Sequence, residues 1–403
     1  KTWGYSYNGG DGACEDPDTH ERVQVVADLS NVKDIVPTNS AFAALLEDGS
    51  VKTWGNSQYG GDGTYLDQDT YNAVQVAANL SGVAKIYSNQ FAFVAILNDG
   101  TVKTWGDSYF GGDGTYEDLD TYQNVQVAAN LTNIKSLTNN GGAFTALLED
   151  GTVKSWGKPY FGGAGGYYSH GTYHQVTNDL INVKQVFGYE GKVGSGSISN
   201  GVFVAQMQDN SIRTWGTNGD CEGEGCFIDG NYGDPEIQVA NTLSNVKEIT
   251  NSQGLAFAAL LEDGTVQTWG SNEHGGNGSY REHYSEPWTQ VTNDLTQVTK
   301  VVATEGSMAA LNEMGSVVMW GGNYNIAYDK LEFENDETFD ATDFVKEMFP
   351  YGEQFAMVMK DGSIYITRDN NILTQDEKNH QYFFVNQYNA AANGAYVLLD
   401  STL

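Results

Sequence analysis

The side chains best suited to chemistry in this chain are carboxylates and phenols that recur at a fixed interval. Asp11, Asp16 and Asp18 are followed by Asp62, Asp67 and Asp69, and then by Asp113, Asp118 and Asp120, each set 51 residues after the last. Hard cations such as Ca2+ take many oxygen ligands, and Asp-x-Asp puts two carboxylates within reach of one ion, so each triplet is a candidate calcium site. The register matches neither an EF-hand loop nor a calcium-binding β-roll. The competing reading is a solvated surface, since tandem copies repeat whatever carboxylates they began with. Tyrosines share the same segments: Tyr59, Tyr65 and Tyr71, then Tyr109, Tyr116 and Tyr122, then Tyr160, Tyr167, Tyr168 and Tyr173. A phenol offers a flat apolar ring and a hydroxyl, which suits partly wet recognition surfaces. The first six are candidate ligand-binding residues for a glycan or a protein; rings that merely brace long loops are the equal alternative.

Other chemistry is thin. Cys221 and Cys226 bracket Glu-Gly-Glu-Gly, a spacing that can close as a small disulfide in an oxidising setting. Cys14 is left over, and no second Cys or His pair stands nearby in sequence to make zinc the better reading. Asn79, Asn130 and Asn277 begin glycosylation sequons short enough to arise by chance. His170 and His174 lie in a Gly/Tyr-rich loop and read as surface residues. The chain has no Gly-x-Ser-x-Gly elbow and no phosphate-binding loop, so the reading is a protein without catalysis or organic cofactor.

The candidate residues all follow one dipeptide, which identifies the elements that must position them. Trp-Gly recurs at Trp3, Trp54, Trp105, Trp156, Trp215, Trp269 and Trp320, at spacings of 51, 51, 51, 59, 54 and 51 residues. Ahead of it stands a second signature, Ala41–Gly49, returning as Ala256–Gly264 and in weaker copies at 92–100, 143–151, 202–210, 308–315, 355–362 and 395–400. The run Ala41–Leu46 is apolar at odd and even positions, the pattern of a strand covered on both faces. Asp48-Gly49 predicts a type I′ hairpin turn, and Val51 to Gly55 the returning strand. Val32 and Ile35 mark a further strand, and Val23–Val26 or Val74–Ala77 a fourth. Four short strands per fifty-odd residues, repeated, is the pattern of a β-propeller blade. Counting signatures gives an all-β, closed β-propeller of eight blades, with seven as the alternative, in one domain spanning 1–403. The C-terminal Asp400-Ser401-Thr402-Leu403 and N-terminal Lys1-Thr2-Trp3-Gly4, joined, recreate the motif of Asp99–Gly106, so the N-terminal strand is expected to complete the last blade. A piece cut from a longer array is the rival reading, and a start at Lys1 without Met fits processing or excision.

Composition narrows the partners. Twenty Lys+Arg against 52 Asp+Glu give a net charge of −32, which argues against nucleic acid and against anionic lipid, both of which need a basic face. No apolar run is long enough for a membrane-spanning helix. With 40% hydrophobic residues the acidity does not signal disorder.

The string Asp-Gly-Thr-Val-Lys-Thr-Trp-Gly, followed by Gly-Gly-Asp-Gly and then a Val-x-x-Ile strand, resembles the RCC1-type (regulator of chromosome condensation) repeat over almost the whole chain. The resemblance implies a propeller. Two departures stand out: Ala41, Ala92, Ala143 and Ala256 occupy a position where that family carries His, and Gly9–Gly12, Gly60–Gly63 and Gly111–Gly114 read Gly-Gly-Asp-Gly where the family has Gly-Gln-Leu-Gly. The near-identical repeats 52–102 and 103–153 look more like RCC1-like arrays of bacterial surface proteins than like the nuclear exchange factor. The expected function is therefore an extracellular or cell-surface adhesion module. It would present the Tyr- and Asp-rich loops to a glycan or protein, braced by calcium, within a larger chain. The alternative, implied by the eukaryotic family, is an intracellular protein-interaction regulator resembling a guanine-nucleotide exchange factor. That alternative predicts a unique protrusion as the working element, and segments 186–201 and 322–345 are the departures from the repeat that could serve.

Overall fold

The computed structural model describes residues 2, 4–15, 21–68, 70–119, 121–169, 172–193, 197–216, 243–252, 256–271, 274–276, 278–280, 289–304, 306–321, 345–352, 354–360 and 364–366. Among them every regular element is a β-strand or a single turn of 3-10 helix, and no helix is long and apolar enough to cross a membrane. The chain divides into two compact units, Lys1–Glu222 and Gly223–Leu403.

The first unit shows the repeating plan most fully. In the second sheet the strands Val83–Ser88, Ala92–Leu97 and Val102–Gly106 run as an antiparallel meander. A small hairpin, Thr64–Leu66 with Ala73–Gln75, is added at the edge through a parallel bridge between Tyr65 and Gly106. The order is thus 73–75, 64–66, 102–106, 92–97, 83–88, and the first sheet repeats it with 22–24, 13–15, 51–55, 41–46 and 32–37. These two sheets have five strands where the sequence indicated four. The expected strand at Val74–Ala77 ends at Gln75, and Ala77–Asn79 forms a 3-10 turn. The third and fourth sheets carry meanders at 134–157 and 183–216, with hairpins 115–126 and 166–175 assigned as separate pairs. The second unit holds meanders at 246–270, 298–321 and 345–366. The eighth signature, at 395–400, lies outside the described residues.

The turn at Asp48-Gly49 differs from the expected type I′, which would need positive φ at both central residues. Gly49 alone takes it, at 79°, while Gly49 N–H donates to the Leu46 carbonyl at 3.0 Å and Leu46 N–H to that of Ser50 at 3.0 Å. This is a type I turn closed by a left-handed glycine. The Asp48 carboxylate accepts from the Ser50 N–H at 2.9 Å and from its hydroxyl at 2.6 Å, which accounts for Asp-Gly-Thr recurring at 99–101, 150–152 and 263–265.

Packing between neighbouring sheets follows from the alternation of small and bulky residues along the central strand. Ala41, Ala43 and Leu45 of the first sheet meet Ile86, Phe93, Ala95 and Trp105 of the second. The opposite face of the second sheet, Ala92 and Val94, meets Phe144, Ala146 and Trp156 of the third. Trp54, Trp105, Trp156, Trp215 and Trp269 are each stacked on the Phe opposite in their own hairpin, as with Phe93 and Trp105 at 5.2 Å between centroids, while Trp320 lies opposite Met308. The second unit repeats the scheme, with Ala256, Ala258 and Leu260 against Met308, Ala310 and Trp320. The central strands are buried on both faces, as their sequence indicates.

Candidate functional site

The Gly-Gly-Asp-Gly turn joins one sheet to the next and is built for close approach. A side chain on Gly60 would strike the indole of Trp105, and one on Gly61 would strike the backbone of Gly55 at the end of the preceding sheet. The aspartate between them is a structural acceptor. Asp62 Oδ1 accepts from Thr64 N–H at 3.1 Å and its hydroxyl at 2.9 Å; Asp113 does the same with Thr115 at 3.0 and 2.8 Å. Asp11 Oδ1 accepts from Ala13 N–H at 3.2 Å and, with no hydroxyl at residue 13 to bind, its carboxylate forms an ion pair with Arg22 at 2.8 Å. Burial pushes the carboxyls of Asp62 and Asp113 above the usual range despite these bonds.

Asp67 and Asp118 close the loop of the small hairpin. Asp67 Oδ1 accepts from Thr70 N–H at 2.7 Å and hydroxyl at 2.8 Å, and Asp118 binds Thr121 at 2.8 Å in both contacts. Asp16, Asp18, Asp69 and Asp120 lie outside the described residues. Among the described residues no three His, Cys, Asp or Glu side chains stand together in a way that could hold a metal ion.

The tyrosines divide. Tyr59 and Tyr109 are not equivalent: by the repeat, Tyr59 corresponds to Phe110 and Tyr109 to Gln58. Tyr59 stacks on Phe91 at 5.5 Å and packs against the core between the first two sheets. Tyr65 and Tyr116 lie half-buried on the small hairpins. Tyr71 and Tyr122 sit at the hairpin tips, exposed at 75% and 76%, each in the left-handed region at φ 55°. That backbone is held by Tyr122 N–H donating to the Asp118 carbonyl at 2.7 Å and Asp118 N–H to that of Gln123 at 2.9 Å.

Three of these rings converge. Tyr109, Tyr116 and Tyr122 line a cleft of about 160 Å³ together with Gln68, Ser108, Thr115, Glu117, Asn124, Gly157 and Pro159. Ser108 is fixed at its base by donating to the Leu66 carbonyl. Burial, then the neighbouring Glu117, Tyr160 and Asp107, raise the Tyr109 phenol; burial and Asp118 raise that of Tyr116. Beside the cleft, Lys158 lays its ammonium over the rings of Tyr109, Phe110 and Phe161 at 5.2, 5.1 and 5.1 Å. Burial lowers its pKa, opposed by the charge of Asp107.

A second feature stands out against the repeat. The first two strands of the fourth sheet, Val183–Val193 and Ser197–Met207, have 11 residues each, against six for their counterparts Val83–Ser88 and Ala92–Leu97. Pairing continues past Gly188↔Phe203 through Tyr189↔Val202, Glu190↔Gly201, Gly191↔Asn200, Lys192↔Ile198 and Val193↔Ser197. At the base of this extension Gln90 of the second sheet donates to Glu190 at 3.2 Å, and Phe187 stacks on Tyr189 at 6.3 Å. The departure at 186–201 is therefore an extended hairpin, while 322–344 lies outside the described residues, as do Cys221 and Cys226.

No family model matches the chain. It is 30% identical over 191 residues to the E3 ubiquitin-protein ligase HERC2 of Mus musculus, a match covering 45% of this chain and only 4% of that protein's length. It is 26% identical over 313 residues to the RCC1 domain-containing protein RUG3, mitochondrial, of Arabidopsis thaliana, covering 74% of this chain and 67% of that one. Among solved structures it is similar to Prp20p from Saccharomyces cerevisiae, with 18% identity, 93% and 92% of the two chains covered and a TM-score of 0.39. The relatives overturn the expected extracellular location: RUG3 is mitochondrial and thus intracellular. Near-identity between neighbouring repeats, from which that location was expected, records copying of a segment and carries no information on compartment. Motif and relatives agree that this chain is built of RCC1-like repeats.

Proposed function

We propose that this chain is an intracellular protein-interaction regulator that works by binding rather than by covalent catalysis, with the extended hairpin of the fourth sheet as its working element. The observation that supports this most is the hairpin itself, which breaks an otherwise regular repeat by lengthening one strand pair into a two-stranded arm. An arm that runs on past the end of the third strand of its sheet can insert into a partner or pair with it, and its base is braced by Gln90. RCC1-like relatives suggest a small GTPase or another protein as the partner. The proposal includes closure of the repeats, eight by sequence count, into a single propeller domain.

The test is release of fluorescent GDP from a panel of purified small GTPases. The wild type is compared with a variant whose residues 189–201 are replaced by the Asn89–Phe91 connection of the second sheet. Faster release by the wild type, lost in the variant at unchanged melting temperature, is the expected result. Equal complex formation and equal release by both proteins would refute the arm as the working element.

A further inference from the structure

The cleft beside the third sheet has a chemistry of its own, remote in sequence from the arm. Its walls are the rings of Tyr109, Tyr116 and Tyr122, its acceptors are the Glu117 carboxylate and the side-chain amides of Gln68 and Asn124, and neither Lys nor Arg lines it. At about 160 Å³ it has room for one side-chain head and its adjoining methylenes, and none for a folded element. We propose that this cleft binds the guanidinium of an arginine in an extended, basic segment of a partner protein.

Four observations carry the assignment. Aromatic faces attract cations, and the molecule already uses this surface so: the Lys158 ammonium lies over Tyr109. That ammonium is also shared with Phe110 and Phe161, so it is directed at the rings and not at the cleft's carboxylate. Glu117 is half-buried and, among the described residues, has no hydrogen-bond or ion-pair partner. A carboxylate beside phenol rings favours a planar guanidinium, which can lie flat on a phenol while forking two N–H bonds to the acid, over the compact ammonium of lysine. Finally, a protein at −32 draws basic segments toward it over longer range.

The site is specific to the third sheet. The preceding repeat has Gln58 where Tyr109 stands, so the similarly exposed Tyr71 lacks the partner ring and serves as an internal control. Pre-organisation is visible at Tyr122, whose left-handed backbone is pinned by Asp118.

The experiment is calorimetric titration with three short peptides of alternating glycine and arginine, lysine or glutamate, and with neutral sugars. The proteins are the wild type, Tyr122→Gly, Glu117→Gln and Tyr71→Gly. Glycine keeps the left-handed backbone at the tips, and Glu117→Gln preserves shape, so folding is retained and is checked by melting. The arginine peptide is expected to bind most tightly, weakened about tenfold by Tyr122→Gly and by Glu117→Gln and unaffected by Tyr71→Gly. Equal affinity across the variants would mean diffuse attraction to the net charge and would overturn the site. Lysine binding as tightly as arginine, or sugars displacing the peptide, would overturn the assigned ligand. The arm-replaced chain must bind the peptide unchanged, which separates failure here from failure of the proposed function.

Discussion

Asp48 and Asp62 each accept the backbone N–H and the hydroxyl of the residue two places on, yet they titrate in opposite directions. Hydrogen bonds from Ser50 hold the exposed Asp48 below the usual range, whereas burial raises Asp62 above it. A raised folded pKa means that Asp62 favours folding when protonated, and that this contribution is lost as pH rises through the folded value. Asp62→Asn should therefore raise the melting temperature at neutral pH, with the difference from wild type closing as pH falls below about 4. A calcium ion held by Asp62 would reverse the sign, so melting curves with added calcium and with chelator distinguish the two. Sequence placed Asp62 in its turn but could not show its burial, because that depends on how the turn docks between two sheets. The same limit applies to the tyrosines. Tyr109, Tyr116 and Tyr122 were visible as candidates, while their convergence, and the packing role of Tyr59, depend on neighbouring hairpins that meet only in the fold.

Among elements, the central strands were the most legible, because burial on both faces leaves an apolar run with Ala opposed to Phe. The small hairpin was only half legible: its parallel bridge to the last strand of the same sheet leaves no local pattern. A third feature lies just before six of the meanders, where one residue takes positive φ and its carbonyl accepts from the turn after the central strand. Asn31, Asn133, Asn182 and Asn245 hold this place at 52–59°, Gly82 at 67°, and Gln297 at 55°. The bond recurs as Glu47 N–H to Asn31 at 2.9 Å and Glu313 N–H to Gln297 at 2.9 Å. Glutamine is poorly suited to the left-handed region, so Gln297→Gly should stabilise the protein by about 0.5–1 kcal/mol in chemical denaturation. No gain would mean that the extra freedom of the unfolded chain offsets the relief of strain.

At the scale of the molecule, the repeat period was plain in sequence because seven tryptophans mark it, whereas closure was legible only as a motif split between the two termini, which fixes no pairing between them. Small-angle X-ray scattering of the whole chain tests the proposed single propeller: one compact particle with a narrow distance distribution is expected, and two separated maxima would rule it out. The near-identity of neighbouring repeats misled on location, since it records copying of a segment and not the compartment in which the protein works.

The packing of small faces on aromatic ones has a further consequence. At three successive junctions of the first unit a face with small residues meets the Phe–Trp pair of the next sheet, so the stack has a direction and these junctions share one scheme. A newly duplicated repeat finds on either side the surface its parent already fitted. Such a chain can lengthen by copying without inventing an interface, and the near-identity of 52–102 and 103–153 is the trace such copying leaves.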